Sequence, residues 1–333
     1  MVLSRRSRGA ALVLFLLCAS AGAQEPFPLK VDYLQEGESS ASLIADNQGA
    51  VPVSVRLALE AAENAASDPP LPRVSVVPAR SSLRLARVYQ ADRARPWRFR
   101  YNYRYLPGVA GAVHDADAAY RLPWMDGRTF SVIQAPGGRI TSHTTPESRD
   151  AIDFAMPEGT PVLAARGGTV FGTVAVHSGG ALLESMKTRN NMVRVLHEDG
   201  TIANYLHLMQ GGVAVADGER VAAGKLLGYS GNTGYSSGPH LHFAVTRVVA
   251  AGEGLEEVSE PVRFSFGQPV SVVALRADAA VTASYGAAPI PAAPRPAAPG
   301  FFAALRKQLT WGRVAALGAL VLVLFLWRRR SRG

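Results

Sequence analysis

Ser237-Gly238-Pro239-His240-Leu241-His242-Phe243 sets two histidines two residues apart, directly behind a Ser-Gly-Pro turn. On an extended strand, residues i and i+2 share a face, so both imidazoles project from the same side. Two imidazoles on one strand face are hard to explain as packing, whereas neutral imidazole is the commonest nitrogen ligand for zinc. A pair is not a complete site. The further donors stand upstream, at His143, Asp153 and His207.

The surroundings of this stretch read as β-structure. Met192-Val193-Arg194-Val195-Leu196-His197, then Asp199-Gly200, then Ile202-Ala203-Asn204-Tyr205-Leu206-His207 is a hairpin signal that leaves His207 at a strand end. Glycine-rich turns at Pro136-Gly137-Gly138, Gly167-Gly168 and Gly211-Gly212 punctuate residues 130–275. In Ile152-Asp153-Phe154 the two apolar side chains point into a core and Asp153 points the other way, where a lone carboxylate needs a partner. His143, in Ser142-His143-Thr144-Thr145, follows a glycine turn. His177 and His197 lack such a context and read as structural.

Before this region, residues 24–107 carry short alternating segments such as Val51-Pro52-Val53-Ser54-Val55-Arg56-Leu57, which predict an antiparallel β-sandwich. Within it, Arg93, Arg95, Arg98, Arg100 and Arg104 alternate with Trp97, Phe99, Tyr101 and Tyr103: a strand with a basic solvent face and an aromatic core face, the alternative being contact with an anionic polymer. Residues 108–129 read as a connector, and His114-Asp115-Ala116-Asp117 in it as a polar turn. After the second β region comes an Ala/Pro-rich linker, 276–312.

Both ends of the chain are apolar runs flanked by arginine. Arg5, Arg6 and Arg8 precede Ala10-Ala11-Leu12-Val13-Leu14-Phe15-Leu16-Leu17, and Ala21-Gly22-Ala23 supplies a small-x-small cleavage site, so residues 1–23 read as a signal peptide. The only cysteine, Cys18, falls inside it, so the mature chain is expected to have no disulfide. Residues 314–327 form an apolar run ended by Arg328-Arg329-Arg330, and 313–333 read as a C-terminal transmembrane helix or a sorting tail. These clusters supply much of the net charge of +9, which therefore marks membrane topology and not a nucleic-acid partner. The expected location is the periplasm, anchored to the inner membrane by the C-terminus; the alternative is the cell surface, or secretion after the tail is removed.

Together, the segments of residues 130–250 closely resemble the LytM/lysostaphin-type zinc endopeptidases, which cut peptide cross-links of bacterial peptidoglycan. The resemblance rests on Ile152-Asp153-Phe154 followed by Gly159-Thr160-Pro161-Val162, on Ala164-Ala165-Arg166-Gly167-Gly168-Thr169-Val170, on Tyr205-Leu206-His207-Leu208, and on the run from Gly228-Tyr229-Ser230-Gly231 through His240-Leu241-His242-Phe243. It implies a mainly β chain: an N-terminal antiparallel β-sandwich, a LytM-type antiparallel β-sheet metallopeptidase domain and the C-terminal membrane segment. It implies one zinc ion on His143, Asp153 and His242, with His207 and His240 as the catalytic pair. One departure stands out. Nine residues separate His143 from Asp153, where the family's commonest form has three; Thr144 to Asp150 would loop out, and Asp150 is the fallback ligand.

Two imidazoles and a carboxylate leave zinc an open fourth position for water, whose pKa the ion lowers to about 7. Amide hydrolysis also needs an oxyanion donor and a proton for the leaving amine. No His-Glu-x-x-His segment supplies a glutamate base, so His207 and His240 are the candidates for both jobs, which the sequence does not divide. The rivals are an inactive regulator of another wall hydrolase, and a zinc protease acting on a protein. Regulators of that kind have usually lost ligands, and here all five polar positions are kept.

Overall fold

The computed structural model describes residues 27–139, 141–267 and 269–285. The expected signal peptide and membrane tail lie outside them, as do residues 286–312 of the expected linker. Among the described residues, no helix is long and apolar enough to cross a membrane.

The described residues are almost wholly β. The first part comprises β1 (Leu29–Gln35), β2 (Ser40–Asn47), β3 (Val53–Glu63), β4 (Ala65–Asp68), β5 (Arg73–Val77), β6 (Ser81–Gln90) and β7 (Arg98–Pro107). They form two antiparallel sheets, ordered β1-β2-β6-β4 and β5-β3-β7. The period of two decides which side chains meet. Val53, Val55 and Leu57 of β3 join Val31, Leu43, Val77, Leu85 and Val88 in one core, each contributing about 1.5–3 kcal/mol on burial. Phe99, Tyr101, Tyr103 and Tyr105 of β7 pack against this core, while Arg98, Arg100 and Arg104 face solvent.

The second part runs through β8 (Ala119–Arg121), β9 (Thr129–Gln134), β10 (Ile152–Ala155), β11 (Pro161–Leu163), β12 (Gly168–Val174), β13 (Met192–Leu196) and β14 (Ile202–Leu206). It continues with β15 (Leu208–Val213), β16 (Arg220–Val221), β17 (Leu226–Ser230), β18 (His240–Ala251), β19 (Gly254–Glu260), β20 (Arg263–Phe266), β21 (Ser271–Val273) and β22 (Ala280–Thr282). The main sheet is ordered β16-β12-β13-β14-β18-β10-β9-β22, with β19 paired to β18. A smaller sheet, β11-β17-β15, shares its core.

Two stretches do more than the sequence suggests. The span 108–129, expected as a connector, contains β8, which pairs in parallel with β20. Its Tyr120, Leu122 and Trp124 are fully buried, and the Trp124 ring stands edge-on to Phe130 and Phe154 at 5.2 and 4.9 Å. The main sheet also extends past residue 275, because β22 pairs with β9 and the Tyr285 hydroxyl accepts from Leu122 N at 2.8 Å. Three-residue strands are too short to show a periodicity.

The alternation of β18 organises everything that follows. Leu241, Phe243 and Val245 enter the core. The opposite face carries His240, His242, Ala244, Thr246 and Val248 in turn. In its middle, the half-buried Arg194 binds both Glu257 oxygens at 2.6 and 2.7 Å and Asn204 Oδ1 at 2.8 Å. At its far end Val248, Ile202 and Phe171 bury against Val51 of the N-terminal part. The chain crosses there at Gly108 (φ 116°), where an added Cβ would lie 3.0 Å from both Ile202 and Val248.

Candidate metal centre

The register of three strands builds the site. Asp153 of β10 stands opposite His242 of β18 on one side and opposite Gln134 of β9 on the other. Residues so paired bring their Cβ atoms to about 4.5–5.5 Å. His242 Nδ1 accordingly lies 2.9 Å from Asp153 Oδ1, and His143 Nε2 lies 3.1 Å from Oδ2. All three side chains are buried, Asp153 to 1 % exposure. Burial by itself would raise the Asp153 carboxyl, but the hydrogen bonds and charge of His143 and His242 outweigh it and hold the group well below the ordinary carboxylate range.

One donor atom from each of His143, Asp153 and His242 falls within 4.8 Å of the other two. A tetrahedral zinc with donors at about 2.0–2.2 Å holds donor pairs about 3.3 Å apart. The two nitrogens lie 3.1 and 2.9 Å from the two oxygens of Asp153, and two imidazoles with one carboxylate are ligands zinc favours. The residues fit the ion.

His143 reaches the site from a loop. The extra residues fold into a turn, in which Thr145 O accepts from Ser148 N and Arg149 N at 3.1 and 3.0 Å. Ser259 of β19 clamps its base: its amide donates to Pro146 O at 2.8 Å and its hydroxyl to Asp150 Oδ2 at 2.9 Å. Asp150, the fallback donor, is thereby held away from the trio. At the front of the loop, Gln134 ties His143's neighbour to Asp153. Its Nε2 donates to Asp153 Oδ2 at 2.7 Å and its Oε1 accepts from Ser142 N at 2.7 Å. The carboxylate can only accept and the amide can only donate, which fixes the orientation of the Gln134 amide.

His207 and His240 stand beside the trio, their ring centroids 4.5 Å apart, with His207 6.0 Å from His242. Each is tied through Nδ1 to a backbone carbonyl: His207 to Thr233 O at 2.7 Å, His240 to Gly238 O at 2.8 Å. A carbonyl only accepts, so the proton sits on Nδ1 and the Nε2 lone pair is free. His240 Nε2 is 3.8 Å from Asp153 Oδ2. Burial, then the neighbouring His240 and His242, push His207 down to about 3. His207 also occupies the left-handed backbone region (φ 65°), a conformation that costs a non-glycine residue roughly 1–3 kcal/mol. Such strain concentrates at functional sites.

The loop that supplies both carbonyls is itself fixed. Thr233 Oγ1 donates to Leu208 O at 2.8 Å and accepts from the buried Asn191 N at 3.0 Å. Gly231 lies so close to β15 that a Cβ would stand 2.4 Å from Met209 N. Sequence reading missed Gln134, Asn191 and Thr233. Thr233 lies within the Gly-Asn-Thr-Gly run, but nothing in the sequence marks Gln134 or Asn191. The other histidines stay apart: His197 donates through Nδ1 to Gly167 O at 2.8 Å, and His114 lies in a turn where Asp117 N donates to Asp115 Oδ1 at 3.0 Å.

Residues 147–256 match the family model described as peptidase family M23. The chain carries a peptidase family M23 domain. The match begins after His143, whose place rests on the geometry above. Among relatives, an uncharacterized metalloprotease of Buchnera aphidicola is 36% identical over 107 residues, 32% of this chain and 24% of that protein. Peptidoglycan DD-endopeptidase ShyA of Vibrio cholerae is 35% identical over 31% of this chain and 21% of its own length. Glycyl-glycine endopeptidase ALE-1 of Staphylococcus capitis is 39% identical over 28% of this chain and 23% of its own. The chain thus spans about a quarter or less of these relatives, and the M23 domain is what they share with it.

Proposed function

We propose that this chain is an exported zinc metalloendopeptidase that hydrolyses the peptide cross-links of bacterial peptidoglycan. The observation that carries the reading is the convergence of a three-donor trio and two carbonyl-tied histidines on one sheet face of an M23 domain. The names of the Vibrio and Staphylococcus relatives, both endopeptidases, support amide bonds as the target.

His143, Asp153 and His242 would hold a zinc ion, which would supply Lewis acidity and lower the pKa of a water toward neutrality. The chain's own residues do the rest. His207 is buried and resists protonation, so its free Nε2 accepts a hydrogen bond and orients the nucleophile. His240 is less buried, and its Nε2 faces the Asp153 carboxylate. It would accept the proton that the attacking water gives up and pass it to the nitrogen of the leaving amine.

Localisation belongs to the same proposal. Residues 1–23 export the chain, and 313–333 hold it in the inner membrane with the domain in the periplasm; Arg328-Arg329-Arg330 favour that orientation. Cell fractionation with mass measurement of the mature chain checks this, and a form lacking its last twenty or so residues would identify a sorting tail instead. For the activity, the zinc-loaded full chain is incubated with purified sacculi and the products weighed. Released muropeptides with new amino and carboxyl termini are expected; sacculi left intact would overturn the reading.

A further inference from the structure

The outer face of the β5-β3-β7 sheet follows a charge rule and then breaks it. Arg98 of β7 pairs with Glu63 of β3 at 2.5 Å, and Arg100 with Glu60 at 3.6 Å. Asn102 then faces Ala58. The next pair is Arg104 directly opposite Arg56. Among the described residues, neither guanidinium has a hydrogen-bond or ion-pair partner. Like charges directly across a ladder are destabilising, and local rules are most often broken at functional sites.

The place of this pair matters. Leu106, two residues beyond Arg104 on the same face of β7, lines a cavity of about 450 Å³ together with Pro146, Glu147, Leu255, Glu256 and Glu257. Pro146 and Glu147 belong to the loop that carries His143, and Leu255 belongs to the cluster where the two parts of the chain meet. Glu257 is committed to Arg194, and neither Glu147 nor Glu256 forms an ion pair with Arg56 or Arg104. Two arginines paired across the ladder bring two guanidiniums to one face, a chemistry that suits a carboxylate or a phosphate. The adjoining glutamates repel a continuous polyanion but admit a peptide with single carboxylates and free ammonium groups.

We propose that Arg56 and Arg104 form a carboxylate-binding subsite, which holds an acidic peptide arm of the wall substrate beside the cavity bounded by the His143 loop. This rests on the peptidoglycan reading above. About 20 Å of β18 separates His242 from Val248 at the junction of the two parts, so the subsite would engage a part of the cross-linked polymer remote from the scissile bond.

The test uses the full chain and purified sacculi. Arg56→Gln, Arg104→Gln and Arg104→Glu are compared with wild type by co-sedimentation over a range of salt and by thermal melting. Sacculus binding is expected to fall about tenfold, with a flatter salt dependence, in each variant. Melting temperature should hold or rise, most for Arg104→Glu, which gives Arg56 an ion-pair partner. That opposition separates a binding role from a structural one. Variants that bind sacculi like wild type overturn the proposal, as does loss of binding accompanied by loss of stability. Loss confined to anionic phospholipid vesicles or inorganic phosphate, with sacculi still bound, also overturns it. Wild type that binds sacculi without digesting them would refute the enzymatic reading while leaving the subsite standing.

Discussion

The trio and the histidine pair share one sheet face, yet they are held in opposite ways. Asp153 and His242 are fixed by strand register, and their side chains bind each other. His207 and His240 bind no partner side chain of the trio within hydrogen-bond distance; both are anchored to carbonyls of a single loop. The trio spends its donor atoms inward, on one point where a cation fits. The pair turns its Nδ1 atoms to backbone carbonyls and leaves Nε2 outside those bonds. The same residue type thus serves two purposes, set by which nitrogen the backbone engages.

The sharpest way to break this contrast is to remove the trio. Asp153→Ala or His242→Ala should lose nearly all bound zinc, since a catalytic site with two protein ligands does not retain the ion. Metal analysis of the purified full chain reads this directly, and full occupancy would show the trio not to be the site. Next come His207→Ala and His240→Ala, which should keep about one zinc and lose sacculus hydrolysis by roughly 100-fold or more. Zinc lost along with activity would erase the distinction between the two groups.

A smaller effect is expected behind the trio. Gln134→Met removes the amide that joins Asp153 to the His143 loop, and zinc affinity should fall about tenfold or somewhat more in a chelator competition. Unchanged affinity would mean that the loop needs no such tie. The mildest test uses His197, which is carbonyl-tied like His207 but stands outside the site. Burial pushes it down to about 4. Between an unfolded value near 6.5 and about 4, the unfolded chain takes up a proton that the folded chain refuses, so stability falls as pH drops through that window, by up to about 3 kcal/mol. His197→Phe should flatten that part of the stability profile in denaturant titrations while leaving zinc binding intact. An unaltered profile would show that His197 is not its source.

Much of this could be seen in the chain itself, for identifiable reasons. The His-x-His pair and Asp153 lie on strands whose period of two fixes facing, and the hairpin of 192–207 is marked by a turn flanked by alternating residues. His143 is harder, because a loop has no period, and only Ser259 and Gln134 show how nine intervening residues can be accommodated. Gln134 and Asn191 are invisible because a half-buried or buried amide leaves no pattern among its neighbours. Strands β8 and β22 were invisible because three residues carry no alternation, and β22 sits where alanine mimics a linker. The alternation of β7 places Arg104 on a basic solvent face; only the register with β3 reveals that it stands opposite Arg56.

The small apolar seam of Val51, Phe171, Ile202 and Val248 has a further implication. A seam of this kind makes the two parts poor candidates for exchange. A fragment cut out at residue 130 would leave behind Tyr120, Leu122 and Trp124 and uncover the seam, presenting oily surface to water. Shuffling this M23 domain onto another partner would therefore require either a matching seam or polar replacements at Phe171, Ile202 and Val248. The N-terminal sheets thus cover one end of the second part's sheet.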